Sequence, residues 1–252
     1  KQFTAVLVLL QEDQAKLNTE EQVSKYLSDF QSPEFQNITI HQLLNHTSGI
    51  SDFGNGLLSK PGAEFHYSNK GYLYLGKIIE KVSGKSYDKN FAAAYVGDSK
   101  NFQKVKNMPK RLANPNISIP AGGILSTTAD LNLWNQALYN GKILKAENYH
   151  KFIEKSAIRN HPIFGEMEYG FGIMMDVKPP LAYLHSGYVR GSPSLNIYYP
   201  ETKTSVIILS NIANISKEKK ALFNPHKKIK TITDSIQNEV IELRKTLETK
   251  GI

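Results

Sequence analysis

Four short runs in the last third of the chain, 170–176, 181–186, 194–199 and 204–210, read as β-strands. Pro200-Glu201-Thr202-Lys203 separates the last two as a hairpin turn, so the pairing is antiparallel. The earlier sequence has a different period. After Asn69 the apolar residues Tyr72, Leu75, Ile79 and Val82 step by three and four, and Leu131, Trp134 and Leu138 do the same. A closing helix, about 229–247, carries Ile232, Ile236, Val240 and Leu243. The simplest architecture is of the α/β (α+β) class: an antiparallel sheet flanked by terminal helices, with an all-helical lobe inserted. One domain spanning 1–252 is expected, with 17–164 forming the helical lobe and 1–16 plus 165–252 the sheet lobe.

Local signals place the helix ends. Thr19-Glu20-Glu21-Gln22 reads as a capping box opening a short helix through Val23 and Tyr26-Leu27. Thr39-Ile40-His41-Gln42 repeats the device, and that helix should stop near His46-Thr47-Ser48-Gly49. Gly84 closes the helix that starts at Asn69, and Thr127-x-x-Asp130 caps a further one. In Pro120-Ala121-Gly122-Gly123 the backbone must pass close to a neighbour or adopt positive φ.

Several function classes drop out. The chain lacks cysteine, which excludes disulfides and thiolate metal sites. His41 and His46 are five apart, on different helix faces, and His46 is expected to fix the turn at Thr47-Ser48-Gly49. No metal or cofactor is expected: there is no His-Glu-x-x-His, no phosphate-cradling loop and no dinucleotide fingerprint. Ala5 to Leu10 is far too short to span a membrane and reads as a buried helix segment. A formal charge of +8 favours anionic surfaces, and much of it sits in 217–220 and 226–230. That segment reads as a solvated loop and helix start rather than a nucleic-acid patch.

The chemistry gathers in three segments. Phe65-His66-Tyr67-Ser68-Asn69-Lys70-Gly71-Tyr72, opened by Pro61-Gly62, sets a phenol and an amide on a turn at a helix N-terminus. Lys1 begins a helix, and His185-Ser186-Gly187 ends a strand. With Leu43-Leu44-Asn45-His46-Thr47-Ser48-Gly49-Ile50 and Pro120-Ala121-Gly122-Gly123, they occur in the order that marks the serine hydrolases of the class C β-lactamase and DD-peptidase type. The chain resembles that penicillin-recognising family from Lys1 to about Asn211. The family's motifs are Ser-x-x-Lys, Tyr-x-Asn and Lys/His-Thr/Ser-Gly.

The resemblance implies roles. Lys1 and Tyr67 would move the protons of nucleophile and leaving group, which requires one of them to be deprotonated near neutral pH. Asn69 would orient the base or the substrate amide, and could equally be the N-cap of its helix. His185 would offer a hydrogen bond with partial charge. Ser186, Gly187 and the backbone N–H of Tyr188 would bind substrate and half-form an oxyanion hole. Gly187, lacking a side chain, would let substrate lie along the strand edge. Lys1 aligns with the Lys of Ser-x-x-Lys, so the nucleophilic Ser is expected three residues upstream, on the same helix face. The family's first helix and strands are expected there too, since Lys1 opens directly into a helix interior with no capping residue. The implied substrate is a small amide or ester, a D-alanyl peptide or β-lactam among them, and the implied compartment is periplasmic or secreted. A non-catalytic protein holding anionic cell-wall polymer on the same fold is the alternative.

Overall fold

The computed structural model describes residues 1–94, 119–124, 126–189, 191–211 and 218–250; Lys217 of the basic segment lies outside them. Helix α1 (Gln2–Asp13) buries Phe3, Ala5, Val6, Leu7, Val8 and Leu9, so it is apolar nearly all round. A helix of that kind belongs in the middle of a protein. It packs against α3 (Asn69–Ser83), α4 (Tyr87–Ala94) and α6 (Ala146–Ile153).

Thr39 builds the expected capping box for α2 (Ile40–Leu44): its Oγ1 accepts from Gln42 N at 3.2 Å, and Gln42 Oε1 accepts from Thr39 N at 3.1 Å. Thr19 does not build one. Its N–H and hydroxyl donate to Glu12 Oε1 at 2.9 and 3.2 Å, and the segment makes only 3₁₀ turns, Val23–Lys25 and Ser28–Phe30. A carboxylate at the end of α1 takes up the N–H and hydroxyl donors of Thr19, drawing both away from a capping box. Helix α5 (Thr128–Tyr139) is capped as expected, Thr127 Oγ1 accepting from Asp130 N. Gly84 ends α3 at φ 66°.

The sheet is a six-stranded antiparallel meander in the order β1 (Ala157–His161), β2 (Gly165–Tyr169), β3 (Met174–Asp176), β4 (Ala182–Val189), β5 (Ser192–Tyr199), β6 (Thr204–Leu209). It begins ahead of the 164/165 boundary read from the sequence. β1 and β2 escape notice because Arg159, Asn160, Glu166 and Glu168 interrupt any apolar alternation. The run expected from Gly170 starts as a strand only at Met174: Gly170 N bonds Ile173 O at 3.0 Å, and Gly172 has φ 70°. The 200–203 hairpin forms as read, joining β5 to β6.

One feature of the ladder positions the site. β3 pairs with β4 only over Ala182–Leu184, whereas β4 runs on to Val189. From His185 onward the β3-side edge of β4 therefore lies beyond the reach of β3.

Helix α7 (Lys219–Leu222) leads into α8 (Asn224–Thr249), which lies on the sheet with its polar side inward. Lys230 Nζ donates to Asp176 at 2.8 Å and Asp234 at 2.7 Å, and Tyr199 OH donates to Asp234 at 2.7 Å. Ile232, Ile236 and Leu243 are exposed. The basic segment is thus only partly a solvated run, because its Lys230 and His226 are buried. A buried ammonium needs carboxylate partners, and this one has two. None of the described helices is long and apolar enough to cross a membrane.

Candidate active site

Lys1 sits at the N-terminus of α1 with its chain turned inward. Its Nζ donates to Asn69 Oδ1 at 2.7 Å and to Ala121 O at 2.8 Å. The same atom lies 4.6 Å from the Tyr67 ring centre and 5.0 Å from that of Tyr72. The 120–121 turn is held in place by α1 itself, Thr4 Oγ1 donating to Pro120 O at 2.6 Å. Gly123 has φ 76°, but the close approach belongs to Gly76 on α3, where a Cβ would stand 2.5 Å from Pro120 Cγ. On the other side Gly172 is indispensable: a Cβ there would meet Tyr72 Oη at 2.8 Å and the Lys1 carbonyl at 3.0 Å.

The Tyr67-Ser68-Asn69 turn is fixed by two residues whose role the sequence did not reveal. Asp52 accepts from Ser68 Oγ, Asn69 Nδ2 and Lys70 N, each at 2.9 Å. Burial raises the Asp52 pKa, but these donors outweigh it and hold the carboxylate below its usual range. His46, at φ 64°, accepts from Ser68 N through Nδ1 at 3.2 Å and from His66 N through its carbonyl at 2.8 Å. Its ring packs 4.4 Å from that of Tyr67, so it positions the Tyr67-Ser68-Asn69 turn as well as the Thr47-Ser48-Gly49 segment. The N-cap of α3 is Ser68, whose Oγ accepts from Gly71 N at 3.0 Å. Asn69 is one residue inside the helix, which leaves both ends of its amide for Lys1 and Asp52.

The strand motif lies one side chain away. His185 Nδ1 donates to Ser186 O at 2.7 Å, which fixes the proton on Nδ1. Its Nε2 then accepts from Tyr169 OH at 3.4 Å. Tyr169 in turn packs 5.2 Å from Phe65 and 5.3 Å from His46, linking the strand to the turn. His161 Nδ1 accepts from the backbone N–H of Ile163 and Phe164, so its Nε2–H donates to Ser186 Oγ at 3.1 Å. At Gly187 a Cβ would stand 2.5 Å from Ser194 Oγ on β5. The Pro193 carbonyl accepts from Ser210 N on the far side of β5, and Tyr188 pairs with Pro193. Across an antiparallel pair of this type the backbone groups of Tyr188 point the other way, towards the edge that β3 does not reach.

Charge sorts the candidates. Burial lowers the Lys1 side-chain pKa from 10.5 to about 7, with Asp52 opposing the shift and Arg159 assisting it. Burial pushes Tyr67 up to about 12, although Arg159 pulls it back and 37% of its surface is exposed. His185 falls well below the ordinary imidazole value, through burial and nearby cations including Arg159 and Lys1.

Arg159, on β1, is a candidate site residue that no sequence motif marked. Its guanidinium lies 4.4 Å from the Tyr67 ring centre, 5.8 Å from Tyr169 and 6.0 Å from Phe65. One signal could have found it: the chain uses four arginines against 27 lysines, so an Arg is a marked choice. No cluster of three potential metal ligands occurs among the described residues.

Known proteins share this fold. D-amino acid amidase from Ochrobactrum anthropi SV3, solved with D-phenylalanine, superposes with a TM-score of 0.73 at 19% identity, over 92% of this chain and 89% of that one. The octameric penicillin-binding protein homologue from Pyrococcus abyssi gives 0.69 at 24% identity, over 83% and 60%. These likenesses establish a β-lactamase/transpeptidase-like fold. Penicillin-binding protein 4* of Bacillus subtilis (strain 168) is 27% identical over 84% of the chain and 59% of its own length. Protein flp of Staphylococcus aureus (strain N315) is 25% identical over 84% and 51%. The chain thus spans little more than half the length of these curated relatives. The sequence model of the family described as Beta-lactamase matches residues 1–223, a span that includes Lys1, the Tyr67–Asn69 turn and His185–Gly187, and the chain belongs to the beta-lactamase family.

Proposed function

We propose that this chain carries most of a serine hydrolase that forms an acyl-enzyme with a small amide or ester, a D-alanyl peptide, β-lactam or related ester. The nucleophile is a Ser three residues before Lys1. The observation that carries this reading is the contact of Lys1 Nζ with Asn69 Oδ1 at 2.7 Å and the Tyr67 ring at 4.6 Å, which joins two motifs 68 positions apart.

The electrostatics support the following division of steps. An amine with a pKa of about 7 is substantially neutral at physiological pH, so Lys1 accepts the Ser proton as the oxygen attacks the carbonyl carbon. Tyr67, held protonated, hydrogen-bonds the leaving group while the Lys1 proton returns to it and the acyl bond breaks. Water then attacks the ester by the same route and regenerates the Ser. The Tyr188 N–H supplies one oxyanion donor and the Ser N–H the other. Substrate lies along the β4 edge beyond Leu184 as an added strand. The partner is a small-molecule or peptidoglycan-like substrate and not nucleic acid. The compartment is periplasmic or secreted, where the basic surface allows peripheral contact with the anionic envelope.

The test uses protein extended upstream of Lys1. Incubation with a fluorescent penicillin or an activated ester should add one acyl mass to an upstream Ser, and Tyr67→Phe should slow that labelling at least tenfold. Equal labelling of the variant removes Tyr67 from the mechanism. The absence of any adduct, or a Gly or Ala in place of the Ser, favours the non-catalytic ligand-binding alternative.

A further inference from the structure

We propose that the end of α1 remote from Lys1 holds a second ligand site, which takes a small phosphorylated polyol such as a sugar phosphate. The site is independent of the chemistry at Lys1. Gln11 stands ten residues further along the chain, about 15 Å away at the rise of an α-helix.

Helix α1 ends beside the turns that follow α3 and α5, and between them lies a cleft of about 310 Å³. That volume falls at the lower end of the about 300–1,000 Å³ typical of small-molecule sites. Gln11 lines the cleft, only 5% exposed, and its Oε1 is buried with no hydrogen-bond partner among the described residues. An unpaired amide oxygen in so enclosed a place is costly, and a ligand hydroxyl removes the cost by donating to it. Leu10 and Ile143 supply apolar wall for the C–H face of such a ligand.

Three exposed lysines, Lys16, Lys85 and Lys142, line the same cleft. Their ammonium groups pair with none of the described carboxylates. Each rises from a fixed backbone. Lys16 N donates to Gln11 O at 3.0 Å, and Lys142 N donates to Ala137 O at 2.9 Å. Asn90 Nδ2 donates to Ser83 Oγ at 2.8 Å and to the Lys85 and Ser86 carbonyls at 3.1 and 3.0 Å, which pins the turn that carries Lys85. The acids at the end of α1 are engaged elsewhere, Glu12 by Thr19 and Lys151, Asp13 by Lys145 and Asn148. Three ammonium point charges over one cleft suit a phosphate group, which they bind without a planar fork. The Gln11 amide then favours a phosphate that carries hydroxyls, which a free phosphate cannot bring to it.

Equilibrium binding tests this on protein extended upstream of Lys1. Glucose 6-phosphate, glucose and inorganic phosphate are titrated into wild type and three variants, with thermal melts to verify folding. Wild type should bind glucose 6-phosphate at least tenfold tighter than either of the other two. Gln11→Leu should reduce glucose 6-phosphate to the level of inorganic phosphate. The triple variant Lys16→Gln, Lys85→Gln, Lys142→Gln changes exposed side chains alone, and should reduce it to the level of glucose. Lys227→Gln with Lys228→Gln, in the basic segment at α8, should leave binding unchanged. The proposal is overturned if wild type binds glucose 6-phosphate no better than inorganic phosphate, or binds neither. It is also overturned if the triple variant keeps wild-type affinity, or if the α8 variant loses as much as the triple variant, since the lysines then act only through net charge. Binding is read without turnover, so failure here leaves the hydrolase reading intact, and failure of acylation leaves this inference intact.

Discussion

The buried amine of Lys1 should make the stability of this protein depend on pH in a way that one substitution abolishes. Its pKa is about 7 when folded and returns to 10.5 in the unfolded chain. Below pH 7 both states hold the proton, and the full cost of burying an ammonium falls on the folded state. Between about pH 7 and 10.5 the unfolded chain binds more protons, so stability rises with pH through that window. At about 1.4 kcal/mol per pH unit the whole displacement is worth roughly 5 kcal/mol, and the part between pH 7.5 and pH 10 about 3 kcal/mol. Lys1→Met keeps the length of the side chain and removes the proton. Urea unfolding of both proteins at pH 7.5 and pH 10 should show wild type gaining about 3 kcal/mol relative to the variant. His46 and His185, both lowered below the ordinary imidazole value, are neutral across this interval and do not contribute. Parallel stability curves, within about 0.5 kcal/mol, would refute the claim that Lys1 is neutral in the folded site.

Two further substitutions probe the frame around it. Gly172→Ala combines positive φ with a Cβ 2.8 Å from Tyr72 Oη, and should cost about 2–4 kcal/mol by denaturant titration; a loss under about 0.5 kcal/mol would show that the Lys1 backbone can move aside. Asp52→Ala leaves Ser68, Asn69 and Lys70 without their shared acceptor and should cost about 1–3 kcal/mol. Amide exchange at Lys70 should quicken in parallel, and unchanged protection there would mean that His46 alone holds the turn.

The sequence carried more of the fold than of the site's support. Strong periodicity and local caps made α2, α3, α5 and the β4–β6 strands legible, since each is decided by residues within a few positions of one another. Thr19 failed as a cap because its competitor, Glu12, arrives from the end of another helix. β1 and β2 failed because half their positions are charged or polar, and pairing across the sheet rather than propensity makes them strands. The outward apolar face of α8 is a third case. Its Ile232, Ile236 and Leu243 recur at helical spacing yet lie exposed, because the Lys230–Asp234–Tyr199 network holds the polar side against the sheet.

The site divides in the same way. Lys1, Tyr67, Asn69 and His185 could be named from short motifs. Asp52, His46 and Arg159 fix and charge those residues from three other segments, and no spacing rule connects them. This matters most for the proton. From sequence, Lys1 and Tyr67 were equivalent candidates, since both titrate near ~10 in water. Burial acts on them with opposite signs, because it penalises an ammonium on the lysine and a phenolate on the tyrosine. The same enclosure therefore lowers one pKa to about 7 and raises the other to about 12. Arg159 lowers both, which assists Lys1 and only moderates Tyr67. A readily deprotonated amine and a firmly protonated phenol are thus set apart by a single environment, and Tyr67, the residue most conspicuous in sequence, is the one left holding its proton.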